Sequence, residues 1–206
     1  MSEQLWTWLA ARRNHPPRRL VVPGPDTAAL ERIFEAAAQA PDHGQLRPWR
    51  FIVIPTERRA DLGTVFERAL AERDPAADEE ARTRAREKAF HAPCLVVAVL
   101  DDAPRGTIPT AEKLVSLGCA VQNMLTAAQA LGYASGLASG AAMDSAGMRD
   151  LLRPAPHEQA ICFVAFSVMR AASALACSRL SAMMAAPWAR AAEEAPDAMI
   201  QRLSDD

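Results

Sequence analysis

Two periods of apolar residues divide this chain. Trp49 to Ile54, Cys94 to Leu100 and Gln159 to Val168 are nearly continuous apolar runs of strand length, the pattern of strands buried on both faces. Between them apolar residues recur every three to four positions, which predicts helices. Gln4 to Arg13 is the first, with Leu5 and Leu9 one turn apart beside Trp6 and Trp8; Pro16 and Pro17 stop it. Asp26 or Thr27 caps the second, which runs to about Gln39 with Ala29, Leu30, Ile33, Phe34 and Ala37 on one face. Glu57 to Arg73 carries Leu62, Val65, Phe66 and Leu70 at helical spacing. Glu79 to Phe90 is densely charged and reads as an exposed helix laced by Glu/Arg pairs. Ala111 to Leu131 is the longest pattern. Its apolar stripe is Leu114, Leu117, Val121, Met124, Leu125 and Ala128, and its largely apolar surface predicts a buried central helix.

Gly132 closes that helix as a C-terminal cap. Tyr133 to Gly140 then reads as a flexible stretch of small residues that lets a ligand approach the backbone. Asp144 is placed to cap a short helix through Leu152. Beyond Met169 an Ala/Ser-rich linker leads to a further helical pattern, Met183 to Leu203, broken near Pro196. Asp101 and Asp102 lie in the loop that runs to Pro109. They lack a third ligand at useful spacing and read as solvated turn residues, not metal ligands. Strands separated by helices, with no internal repeat, predict a three-layer α/β or α+β domain and exclude a barrel or solenoid.

Composition narrows the function. At 206 residues the chain forms one domain with a substantial core. With 50% apolar and 23% charged residues it is globular, and a net charge of −2 offers no global basic field to nucleic acid. No basic-then-apolar leader and no apolar run of about 20 residues is present, so no membrane segment is expected and the cytoplasm is the default location. Cys94, Cys119, Cys162 and Cys177 are widely spaced, without a Cys-x-x-Cys or Cys/His cluster. They read as buried thiols, and no metal is expected. Arg12, Arg13, Arg18 and Arg19 make a local positive cluster, which suits an anion site and a solvated basic surface alike.

Candidate chemistry gathers between Ala36 and Ile54. A helix end breaks at Pro41, turns through Asp42, His43 and Gly44, passes Gln45, Leu46 and Arg47, and enters a strand at Trp49. A histidine, an amide and a guanidinium thus sit on a loop held by rigid flanks, where binding residues concentrate. The string Ala-Pro-Asp-His followed by Arg-Pro-Trp-Arg-Phe-Ile-Val-Ile resembles the signature of the nitroreductase family, nearest its short YdjA-like branch. Further motifs fall in the matching order. Arg12-Arg13 ends the first helix, His91 to Leu100 is a strand after a helical middle, and Glu112 to Gly136 is similar to the long central helix with its Gly-rich turn.

The resemblance implies a mixed central sheet flanked by helices in a three-layer α+β fold. Residues 1–170 would bind FMN, and residues 171–206 would form an extension, in this family often laid across a partner subunit. It implies a homodimeric FMN-dependent oxidoreductase: hydride passes from NADH or NADPH to flavin N5 and then, in ping-pong fashion, to a nitroaromatic, quinone or related small-molecule acceptor. By the same resemblance the flavin phosphate falls to Arg12, Arg13 and Asn14, with Arg170 as a further contact. Gln39, His43, Gln45 and the Leu137-Ala138-Ser139 segment are placed around the cofactor, and Arg47 becomes the charge that stabilises reduced flavin. His43 has the alternative of bonding to Asp42. Asn14, Gln39, Arg47, Ala138 and Ser167 depart from the family's usual residues, so FMN binding weaker than in close relatives is expected. The alternative readings are a protein of this fold that has lost flavin and serves as a binding or structural partner, and a flavin enzyme that works without nicotinamide.

Overall fold

The structure is a computed structural model that describes residues 2–104, 107–168 and 200–202. Its helices are α1 (Ser2–Ala11), α2 (Thr27–Ala38), α3 (Arg59–Arg73), α4 (Glu79–Glu87), α5 (Thr110–Ala130) and α6 (Ala146–Leu152). Its strands are β1 (Trp49–Val53), β2 (Cys94–Asp101), β3 (Tyr133–Ala138), β4 (Glu158–Val168) and β5 (Ile200–Arg202). The sheet runs β3-β4-β2-β1-β5. Every pairing is antiparallel except β5 on β1, which is parallel, so the sheet is mixed.

The continuous apolar runs fill both faces of the sheet, as expected. Along β2, Leu95, Val97 and Val99 enter one core with Leu62 and Val65 of α3 and Met148, Leu151 and Leu152 of α6. Val96, Ala98 and Leu100 enter the other with Leu30, Ile33 and Phe34 of α2 and Leu117, Met124 and Leu125 of α5. The alternation follows from the two-residue period of a strand. Phe34 stacks on Phe51 of β1 at 5.7 Å between ring centroids, and Phe66 meets Phe163 edge-on at 5.8 Å. Helices therefore flank the sheet on both sides.

Several expectations are corrected. The stretch from Tyr133 to Ala138 is a strand, not a flexible segment, and it forms an edge of the sheet. At Gly136 another segment of chain lies directly against it. The short helix α6 is capped by Ser145, whose side chain accepts from Met148 N, and not by Asp144. Ile200–Arg202 forms a strand where a helical pattern was expected; residues 169–199, with Arg170 and Cys177, lie outside the described residues. Asp102 is no free turn residue. It accepts from Lys113 Nζ at 2.9 Å and Thr110 Oγ1 at 2.7 Å, and these bonds hold its carboxyl below the usual carboxylate range. Lys113 is only 3% exposed and donates a second bond to Ala103 O, which ties the loop after β2 to the start of α5.

The readings of the two helix ends stand. Asp26 caps α2 by accepting from Ala29 N at 2.8 Å. Gly132, at φ +85°, follows α5 in the left-handed conformation that favours glycine. The helix α5 is buried along Leu117, Val121, Met124, Leu125 and Ala128, but Leu114 (40% exposed) and Val115 (69%) face outward. Burial pushes the Cys162 thiol up to about 11, consistent with an inert small hydrophobe. Among the described residues no helix is long and apolar enough to cross a membrane, and no group of His, Cys, Asp or Glu is arranged to hold a metal ion.

Candidate functional site

An edge strand leaves a row of backbone groups unpaired. On β3 that row is met by the segment that leaves α1. His15 N donates to Ser135 O at 3.0 Å, and Leu137 N donates to Asn14 Oδ1 at 2.7 Å. The approach is so close that a Cβ on Gly136 would stand 2.0 Å from the carbonyl oxygen of His15. Only glycine fits there. The last turn of α1 is fixed as well, because Gln129 Nε2 of α5 donates to Trp8 O at 2.8 Å. Two separate stretches of candidate residues, Arg12-Arg13-Asn14 and Leu137-Ala138-Ser139, are thereby joined.

Within this junction Arg12 Nη1 is buried and has no hydrogen-bond partner among the described residues. A guanidinium N–H shielded from water without an acceptor is costly and calls for an oxyanion. His15 lies in the same field: burial lowers its pKa, and the charges of Arg12 and Arg19 lower it further. Arg13 turns back instead, donating from Nη1 to Ala10 O at 2.6 Å and Arg12 O at 3.0 Å. Asn14 uses its oxygen on Leu137, which leaves its amide NH₂ to donate.

The loop after α2 carries the other candidates. Gln39 is the exposed C-cap residue of α2. Gly44, Gln45 and Arg47 adopt φ of 71°, 53° and 43°. Left-handed backbone is cheap for glycine and costs about 1–2 kcal/mol for other residues. Such strain gathers at functional loops. Asp42 Oδ2 accepts from Arg47 N and closes the turn. His43 does not bond to Asp42; its Nδ1 lies 2.8 Å from Glu112 Oε2. Arg47 is exposed and does not line the neighbouring cleft, whereas His43 and Glu112 do. Trp49, which opens β1, is 3% exposed, and its indole Nε1 is buried without a hydrogen-bond partner among the described residues.

Sequence reasoning missed His15 and Glu112. His15 acts here through its backbone, which no residue type announces. Glu112 occupies the first turn of α5, where the helix dipole favours an acid in any case, so its presence carried no separate signal.

A three-layer α+β fold whose edge strand meets a half-buried arginine with one shielded, unpartnered Nη1 narrows the class of protein, and comparison narrows it further. The nitroreductase family model matches residues 19–167. The chain is 34% identical over 159 residues to a Haemophilus influenzae protein provisionally named an NAD(P)H nitroreductase, spanning 77% of this chain and 84% of that one. It is 35% identical over 133 residues to Escherichia coli YdjA, named in the same provisional way, spanning 64% and 71%. Among solved structures, a nitroreductase with bound FMN from Desulfitobacterium hafniense matches with TM-score 0.60 at 25% identity, over 82% of this chain and 90% of that chain. The FMN-dependent nitroreductase NfnB from Mycobacterium smegmatis, in complex with NADPH, matches with TM-score 0.65 at 15% identity over 84% and 91%, a likeness of fold. The chain belongs to the nitroreductase family, on its YdjA-like side, and with it to the oxidoreductase enzymes.

Proposed function

We propose that this protein is a homodimeric, FMN-dependent NAD(P)H oxidoreductase that reduces nitroaromatic, quinone or related small-molecule acceptors. The observation that carries the cofactor is the buried, unpartnered Arg12 Nη1 beside Asn14. It fits a phosphate, the group that separates FMN from riboflavin. Bound FMN would supply two-electron hydride chemistry between a nicotinamide donor and the acceptor. Arg12 and the amide NH₂ of Asn14 would bind the phosphate, with Arg170 as a further candidate. Gln45, on the strained loop, and Leu137-Ala138-Ser139, at the end of β3, would orient the remainder, with Gln39 at the C-cap of α2; His43, its Nδ1 held by Glu112, would stand beside the ring with Nε2 free. Arg47 would supply positive charge near the reacting ring. Arg13, bonded to its own helix end, contributes by fixing the turn after α1. Residues 1–170 would make up the cofactor-binding unit, and 171–206 an extension to it.

The dimer is supported by apolar surface. Trp6 (68% exposed) and Leu9 (43%) on α1, and Leu114 and Val115 on α5, face solvent in the single chain. Large apolar side chains left to solvent on two helices are consistent with a surface that associates. A cytoplasmic location belongs to the same reading, because nicotinamide nucleotides are held there.

The test is thermal stability with FMN and with riboflavin. A ligand bound only by the folded state stabilises it by about 2.7 kcal/mol at 100 times its Kd. FMN is expected to raise the melting temperature well above the riboflavin value, and Arg12→Ala to remove most of that difference. Equal shifts from the two ligands would remove Arg12 from the phosphate. No shift from either, with colourless protein, would favour the flavin-free reading.

A further inference from the structure

The loop that carries His43 and the first turn of α5 border a wide, open cleft of 520 Å³, lined by Pro41, Ala111 and Val115 beside the His43–Glu112 pair. His43 and Glu112 are 69 positions apart in sequence, and their side chains are 65% and 51% exposed. An exposed pair of this kind adds about 0–1 kcal/mol to stability. That is no more than the cost of one left-handed residue in the loop. Stability alone therefore does not account for the arrangement, and both residues line the open cleft.

Glu112 stands where the helix dipole favours a carboxylate. Against a carboxylate oxygen, His43 Nδ1 carries the hydrogen, so Nε2 is the atom left to face a ligand. We propose that His43 is the proton donor to the acceptor reduced in this cleft and that Glu112 is its positioning residue. The proposal rests on the oxidoreductase reading above. A quinone-type acceptor takes a hydride equivalent, two electrons and one proton, from the reduced flavin, and its second O–H must still form. The Nε2–H of protonated His43 supplies that proton to the acceptor oxygen. The hydroquinone departs, and neutral His43 recovers a proton from water. The apolar walls Pro41, Ala111 and Val115 suit an uncharged planar acceptor.

Reoxidation of the anaerobically reduced protein tests this, with benzoquinone, which needs the proton, and ferricyanide, which takes one electron and none. His43→Gln should slow benzoquinone reoxidation by about 10²-fold and Glu112→Gln by about tenfold. Both losses should exceed any change with ferricyanide. Nitrogen NMR of His43 in the oxidised protein gives a readout free of turnover: an Nδ1–H tautomer in the wild type and a mixture in Glu112→Gln. Equal losses with the two oxidants, or a tautomer unmoved by Glu112→Gln, would overturn the proposal while leaving the oxidoreductase reading intact. A protein that takes up no flavin, or whose flavin neither nucleotide reduces, would overturn that reading and the proposal with it.

Discussion

The side-chain oxygen of Asn14 accepts the backbone N–H of Leu137 at 2.7 Å and joins residues 123 apart in the chain. It satisfies a donor on the open edge of β3 and, with the bond from His15 N to Ser135 O, fixes the turn in which Arg12 Nη1 is shielded. Edge protection and the proposed phosphate site thus rest on the same few atoms.

Asn14→Ala removes that clasp. Losing one such bond costs about 1 kcal/mol, or about fivefold in an equilibrium constant. The Kd for FMN, measured by flavin fluorescence, is expected to rise by about that factor, with a smaller effect on riboflavin. An equal effect on both ligands would assign Asn14 to the strand alone. Gly136→Ala meets a backbone oxygen that cannot move aside. About 2 kcal/mol or more of destabilisation is expected, a fall of about 4–8 °C in melting temperature.

Val115, on the outward face of α5, tests assembly. A charge buried in an apolar interface without a partner is strongly unfavourable. Val115→Glu should sediment as a monomer where the wild type sediments as a dimer. A flavin-bound wild type that is already monomeric at micromolar concentration would contradict the dimer.

Arg50 and Glu158 form a two-point ion pair between β1 and β4, with bonds of 2.6 and 2.7 Å, and Ala155 N adds a third bond to the carboxylate. The Arg50 hydrogen bond, with the Ala155 N–H and nearby charge, holds the Glu158 carboxyl below its ordinary value of 4.5 despite partial burial. The folded pKa lies below the unfolded one, so the stabilisation is complete above about pH 4.5 and lost as pH falls through the folded value. Glu158→Gln should cost about 2 kcal/mol at pH 7. Denaturant titrations should show this difference from wild type shrinking below pH 4.5. A difference that persists unchanged at pH 3 would rule out the ionic contribution.

The sequence carries the long periodic elements because their apolar residues are placed by burial alone. The strands β1, β2 and β4 and the helices α2, α3 and α5 are legible for that reason. The edge strand β3 is not. Tyr-Ala-Ser-Gly-Leu-Ala has little strand propensity, and pairing with β4 and the crossing of His15 dictate its conformation. The pairs Asp102–Lys113, Arg50–Glu158 and His43–Glu112 were equally hidden, since each depends on how elements dock and not on local pattern. Asn14 was found through the family motif, while Arg12 and His43 stood out by a cationic cluster and a loop between rigid flanks, and the motif gave them roles. The orphaned nitrogen of Arg12 and the clasp by Asn14 needed coordinates.

The central claim is most directly tested by anaerobic titration of the FMN-reconstituted protein with NADH and with NADPH, followed by flavin absorbance. The account predicts that at least one nucleotide bleaches the flavin stoichiometrically and that a quinone then restores the colour. Flavin that stays oxidised with both nucleotides would contradict it.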